Sequence, residues 1–346
     1  MFLCDRFTEW EVYKMNFSFN IEYAVALIAV ILMNASCVGV TDGSVSYAPP
    51  MPLQKIQMEF VSVYAKGINF TMGSGSPTVG SCAATSVSPD VPSDRPETAH
   101  CVTLTHNFEM QLTDVTQWQY YHSTQLNPSV FRDVNDCVET FDGGLAGGMC
   151  PQNPVENISW IDAIHFANQA SIAAGYEPCY LDDNGSTIAS IYDCTGYRLP
   201  TEAEFEFAAR AGTTTSFYFG ENTRVGQDNL SIWEWYGVGE AGGTSEGHTH
   251  EVKNCPNANA CKNPFGLYGI SGNVWKWLND VWVVDLGPDE QVDPTGPAFT
   301  TGSSRTESGG SWFNAARSHR TARRDYDFPD YHDYAVGFRL VRTLPN

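Results

Sequence analysis

Gly309–Arg342 reads GGSWFNAARSHRTARRDYDFPDYHDYAVGFRLVR. A glycine pair and a Ser-Trp open it. Val336-Gly337-Phe338-Arg339-Leu340-Val341 closes it, and its apolar alternation and β-branching predict a strand. Between the two lies a segment dense in Arg, Asp, Tyr and His, with almost nothing to bury. A polar, aromatic loop pinned between strand-like ends is how a scaffold presents a site. An ordinary solvated loop has the same composition. The four cations Arg317, Arg320, Arg323 and Arg324 could hold an anion. The preferred reading pairs them instead with their neighbours Asp325, Asp327, Asp330 and Asp333.

Upstream, three helices carry their own start signals. Thr116 and Gln119 form a capping box ahead of Trp118 and Tyr121. Ser159 and Asp162 open a second helix, in which Trp160, Ile164 and Ala167 share a face and Gly175 supplies the stop. Thr201 and Glu204 open a third, with Phe205, Ala208 and Ala209 on one face and Gly212 at its end. The Trp and Phe residues of these helices read as core, and His165 as a satisfied helix histidine. Residues 58–72 alternate and carry β-formers, so strands are expected there, with another over 101–105. Residues 73–95 and most of 212–310 read as loop and short strand. So much irregular chain needs disulfides or bound ions to hold it. His248 and His250 form an H-x-H pair, weak by itself as a metal signal.

The chain has 346 residues, 42% hydrophobic, enough for a sizeable core. Its net charge of −21 argues against nucleic acid, which needs clustered Lys and Arg. Ala24–Met33 is an uninterrupted apolar run of signal-peptide length, followed by Ala35, Ser36 and Cys37. The expectation is export to a periplasmic, cell-surface or secreted location. A leader would cover 1–37, a tether 38–57 and one domain 58–346. A lipid on Cys37 is the one membrane attachment foreseen. Beyond that leader the cysteines are Cys82, Cys101, Cys137, Cys150, Cys179, Cys194, Cys255 and Cys261, an even set suited to an oxidising compartment. Nearest neighbours would close short loops (82–101, 137–150, 179–194, 255–261), but spacing alone leaves the connectivity open.

Taken in order, FTMGS, DRPETAHCVTLTHNFEMQLTDVTQWQY, PVENISWIDAIHFAN, YRLPTEAEFEFAARAG, FGLYGISGNVWKW and GGSWFNAARS…GFRLVR resemble the formylglycine-generating, sulfatase-modifying-factor family. The resemblance implies an α+β fold: the formylglycine-generating-enzyme-like variant of the C-type lectin fold, with low regular secondary structure and long ordered loops. It also implies paired cysteine thiolates holding Cu(I) in the Gly-Gly-Ser segment, the soft ligands that ion prefers. No cysteine follows Cys261 here, and Asn314 and His319 stand in that segment, so copper is not expected. The family's Gly-Asn-Val-Trp-Glu-Trp contributes a calcium carboxylate. This chain has Lys276 there, and Gly269 upstream offers no side chain, so calcium is not expected at that site. A second calcium site implied by the resemblance falls on Asn229 and Leu230. No other metal is specified. A group of relatives resembles variable binding proteins diversified by retroelements, and the residue types over 313–334 suit that pattern.

Three functions are weighed. One is an exported enzyme with changed chemistry, a divergent oxidoreductase or maturation enzyme. It would use His319 as acid/base or metal ligand and Ser311, Asn314 and Tyr326 as positioners. The second is a non-catalytic surface binding protein for a secreted protein, peptide or glycan. It would use Trp312, Tyr326, Tyr331 and Tyr334 as rigid contacts, with Arg317, Arg320 and Asp327 between them. The third is an inert secreted domain.

Overall fold

The computed structural model describes residues 56–87, 96–133, 135–137, 140, 148–187, 189–221, 230–237, 243–256 and 262–345, together with a short hairpin near the N-terminus. That hairpin pairs β1 (Val40–Thr41) with β2 (Ser44–Val45) and belongs to a separate unit, Met1–Leu53. The expected leader and Cys37 lie outside the described residues. Among those described, no helix is long and apolar enough to cross a membrane.

Gln54–Asn346 forms the main unit. Its elements are β3 (Phe60–Val63), β4 (Ile68–Met72), β5 (His100–Leu104), β6 (Phe108–Gln111), α1 (Gln117–Thr124), α2 (Trp160–Ala174), α3 (Glu202–Arg210), α4 (Leu230–Trp233), β7 (Trp275–Val281), β8 (Gln291–Val292), β9 (Arg305–Ser308), β10 (Arg324–Asp327), β11 (Val336–Gly337) and β12 (Val341–Thr343). Three small sheets run β10-β9-β7-β11, β12-β6-β3 and β4-β5-β8. All three sequence-read capping boxes are formed: Thr116 with Gln119, Ser159 with Asp162 and Thr201 with Glu204. Each leaves fewer unpaired amides at a helix start. Gly175 ends α2 in the left-handed conformation as expected, whereas α3 ends one residue before Gly212, with Ala211 itself left-handed.

The core is stitched by aromatic donors reaching backbone acceptors. Trp160 Nε1 donates to the Leu278 carbonyl at 2.8 Å, and Trp277 Nε1 to the Ile158 carbonyl at 3.1 Å. Both rings are fully buried, so these bonds satisfy N–H groups that water cannot reach. Trp118 does not join this core. It is 38% exposed and stacks on His122. His165 Nε2 lies 2.7 Å from Asp183 on the surface. A fully buried ion pair fixes α3. Arg198 reaches both Glu204 oxygens at 2.7 Å, and His106 Nε2 approaches the same carboxylate at 2.9 Å. Burial opposes ionisation there, yet the Arg198 guanidinium holds the Glu204 carboxyl down to about 2.

Disulfides join Cys82 to Cys101, Cys137 to Cys150 and Cys179 to Cys194. Cys255 is also disulfide-bonded, and Cys261 lies outside the described residues.

The expected strand over 336–341 is two strands in different sheets. Val336–Gly337 runs parallel to Trp275–Lys276, and Val341–Thr343 runs antiparallel to Phe108–Met110. Between them the Phe338 and Leu340 carbonyls accept from Val115 and Gln111, so the chain crosses from one sheet to the next without losing backbone partners. Phe338, Arg339 and Leu340 are fully buried along that crossing.

Candidate binding cleft

The site begins where β9 ends. Gly309 (φ 95°) and Gly310 (φ 70°) take two successive left-handed steps, a conformation open to glycine. A Cβ on Gly310 would come within 2.9 Å of the His319 ring, and one on Gly309 within 3.0 Å of the Ile270 carbonyl. The glycine pair therefore lets two chain segments press together. Trp312 N–H then donates to the Asn273 carbonyl at 2.8 Å, which fixes the turn against the loop leading into β7.

Asn314 is held from two sides. Trp275 Nε1 donates to its Oδ1 at 2.7 Å, and Ser311 Oγ donates to the same oxygen at 2.5 Å. Beside it opens a cleft of about 450 Å³. One side is built from Trp275, Phe313 and Asn314. Glu307, Asp325, Tyr326 and Asp327 come from the paired strands β9 and β10, and Asp333, Tyr334, Ala335 and Val336 from the chain approaching β11. Phe313, Tyr326 and Tyr334 are exposed, and Tyr331 stands exposed nearby. The lining holds four carboxylates and no Lys or Arg. The Asp333 carboxylate, helped by Asp327 and Glu307, pushes the Tyr331 hydroxyl up, as a field of negative charge does.

The far wall rests on the start of α2. The Asp333 carbonyl accepts from Asn157 N–H at 2.9 Å, the Pro329 carbonyl from Ile161 N–H at 3.2 Å, and His332 Nε2 lies 3.0 Å from Asp162. Phe131 packs edge-on against Trp312 and against Tyr334, with centroids 5.2 and 6.3 Å away. These contacts give the exposed rings a fixed backing.

The candidate residues separate into two groups. Asn314, Tyr326, Asp327 and Tyr334 converge on the cleft. Trp312 is buried behind it, Tyr331 sits outside at the surface, and Arg317 is exposed without lining it. Ser311 is fully buried and serves Asn314. His319 is also fully buried. Its Nδ1 lies 2.8 Å from Glu234, and its ring lies under Gly310. Arg320 is buried in an ion pair with Glu97 at 2.5 Å. The expected pairing of the arginines with adjacent aspartates holds for Arg323 with Asp325 at 3.0 Å, while Arg324 pairs with Glu202. The stretch therefore buries far more than its composition suggests, since 318–324 are all buried. Sequence reading did not single out Trp275, Glu307 or Phe313 as cleft residues. Glu307 reaches the cleft through the β9–β10 register, which places it opposite Asp325 and which no local sequence signal marks.

Asn229 lies outside the described residues, and Leu230 is fully buried at the start of α4. His248 and His250 lie with centroids 4.6 Å apart, and His250 stacks on Trp235 at 3.6 Å. Among the described residues no group of three His, Cys, Asp or Glu is placed to hold a metal ion. No cysteine or methionine lines the cleft, and no cysteine follows Cys261 in the sequence.

A model of the sulfatase-modifying factor enzyme 1-like domain matches residues 52–344. The chain belongs to that family. It is 32% identical over 201 residues to the formylglycine-generating enzyme of Thermomonospora curvata, covering 55% of this chain and 56% of that enzyme. The chain thus spans about half the length of the curated relatives it matches. Among solved structures, Treponema denticola variable protein 1 superimposes with a TM-score of 0.59 at 28% identity, over 82% of this chain and 95% of that one. PvdO from Pseudomonas aeruginosa superimposes with a TM-score of 0.56 at 21% identity, over 85% and 97% of the two chains, which shows a shared fold. The fold is the formylglycine-generating-enzyme-like form of the C-type lectin fold, low in helix, as expected.

Proposed function

We propose that this family member is an exported binding protein whose cleft takes a peptide segment through a basic side chain. The observation that carries the reading is the cleft lining. Four carboxylates converge with Trp275, Phe313, Tyr326 and Tyr334, no Lys, Arg or Cys lines the cleft, and of the four Asp325 pairs with Arg323 beside it. Aromatic faces attract ammonium and guanidinium groups, and carboxylates complete their hydrogen bonding. Rigid Tyr and Phe side chains supply contact area at small entropic cost. The likeness to a Treponema variable protein is consistent with this reading. Two features weigh against formylglycine formation through a copper dithiolate. Sulfur is absent from the cleft, and His319 is sealed beneath Gly310. Calcium at Asn229–Leu230 belongs to the same proposal as a structural ion, to be read from the calcium content of the purified protein.

The test is calorimetric titration of the mature protein with a peptide library differing in Lys and Arg content. Binding should require a basic residue and weaken as salt rises, because salt screens the carboxylates. The variant Asp327→Asn should bind less tightly while melting at the native temperature. Equal binding of neutral peptides, or aldehyde formation on a cysteine peptide, would defeat the reading. So would a glycan array giving hits where peptides give none.

A further inference from the structure

The loop 268–273 turns three of its carbonyls toward two buried cations. The Tyr268 and Gly269 carbonyls accept from Arg339 at 2.8 and 2.9 Å. The Gly272 carbonyl accepts from Lys276 Nζ at 2.7 Å. Asp114 closes the far side: one oxygen lies 2.8 Å from Arg339, and the other lies 3.6 Å from Lys276 Nζ. Lys276, Arg339 and Asp114 are all buried, the first two fully. Backbone carbonyl and carboxylate oxygens are the ligand types that a calcium ion takes. Here an ammonium and a guanidinium occupy that role. Gly269 leaves the space open, with Asp114 Oδ2 and the Val252 carbonyl no nearer than 3.9 Å to where a Cβ would stand.

We propose that Lys276 is a covalently tethered replacement for a divalent cation, so that the 268–273 loop is held without calcium. The charges support this. Asp114 meets both Lys276 and Arg339, while Glu234, held by Ser271 and His319, adds its negative field at Lys276. A divalent ion added to this set would meet two fixed cations. A carboxylate at position 276 would instead set two buried carboxylates, its own and that of Asp114, against the one guanidinium of Arg339, an imbalance costly in a buried setting. Burial pushes the Lys276 amine down to about 8, opposed chiefly by Asp114, so the ammonium persists at neutral pH. The loop has a downstream duty. Gly272 N–H donates to the Gly309 carbonyl, and the Asn273 carbonyl accepts from Trp312, so this cation sets the position of the Gly-Gly turn beside the cleft.

The test compares the native protein with Lys276→Glu and Lys276→Gln by equilibrium dialysis with calcium and by thermal melting in calcium and in EGTA. The Glu variant should bind one more calcium per chain than the native protein. In EGTA it should melt about 10 °C lower, the size expected for breaking a buried ion pair in a domain this large. Calcium should return most of that loss. Lys276→Gln keeps the fold testable should the Glu variant not fold. It should melt below the native protein equally with and without calcium. Equal calcium content in all three proteins overturns the proposal, as does a Gln variant melting with the native protein. Any second calcium site is common to all three and cancels in the comparison.

Discussion

Two segments of the Gly309–Tyr334 stretch are both polar, one carrying three arginines and the other three aspartates, and they have opposite fates. From 318 to 324 every residue is buried, and Arg320 and Arg324 reach carboxylates 223 and 122 residues away in sequence, Glu97 and Glu202. From 326 to 334 the side chains turn outward, and Tyr326, Phe328, Tyr331 and Tyr334 stand exposed around an acidic cleft. The first segment is a mooring and the second is a display. Polarity alone does not predict which of the two is buried. What separates them is whether a distant element offers a buried counter-charge.

The largest effect should come from cutting a mooring. Arg320→Ala or Arg324→Ala leaves Glu97 or Glu202 buried without its cation, and should cost about 3–5 kcal/mol in urea unfolding. A loss under about 1 kcal/mol would put these arginines in the same class as the displayed residues.

Next comes Glu156, buried and accepting from the backbone N–H of Phe131, whose ring backs Trp312 and Tyr334. Burial pushes its carboxyl up to about 8. The folded state thus keeps a proton that the unfolded chain has released. This contribution is fully present below the ordinary carboxylate value and fades as pH rises from there through about 8. The steepest slope is about 1.4 kcal/mol per pH unit. Glu156→Gln should flatten that slope and gain most above pH 8. A stability–pH profile unchanged by the substitution would show that the carboxyl is already ionised in the fold.

On the display side, Tyr326→Ala should weaken ligand binding about thirtyfold, roughly 2 kcal/mol, with little change in melting temperature. If it lowers stability as much as Arg324→Ala, the ring is a mooring after all. The smallest effect should be Tyr331→Ala, within about 0.5 kcal/mol of native stability by urea melts. A marked loss there would mean that the exposed ring is packed more tightly than its surface position implies.

The same contrast marks what the sequence made legible. The three capping boxes and the Gly175 stop depend on residues a few positions apart, and reading them locally was sufficient. Three of the nearest-neighbour cysteine pairs are formed for the same reason: each closes a short loop. The partners of Arg320 and Arg324 could not be read this way, because adjacent aspartates offered a nearer and equally plausible match. The division of 336–341 between two sheets was hidden too, since alternation looks the same whichever sheet receives the strand. Within the candidate site, Tyr326, Asp327 and Tyr334 were legible from composition. The burial of His319 was not, because it depends on Gly310 making room for a ring nine positions downstream.

One feature of the framework bears on how such a protein can change over time. The exposed segment leaves one sheet at Asp327, re-enters it at Val336, and the chain then passes into a second sheet at Val341. Both ends are tied by backbone bonds that do not depend on which side chains lie between them. Residues 328–334 should therefore tolerate substitution better than 318–324, and under the proposed binding role a lineage would change its ligand there while inheriting the scaffold intact.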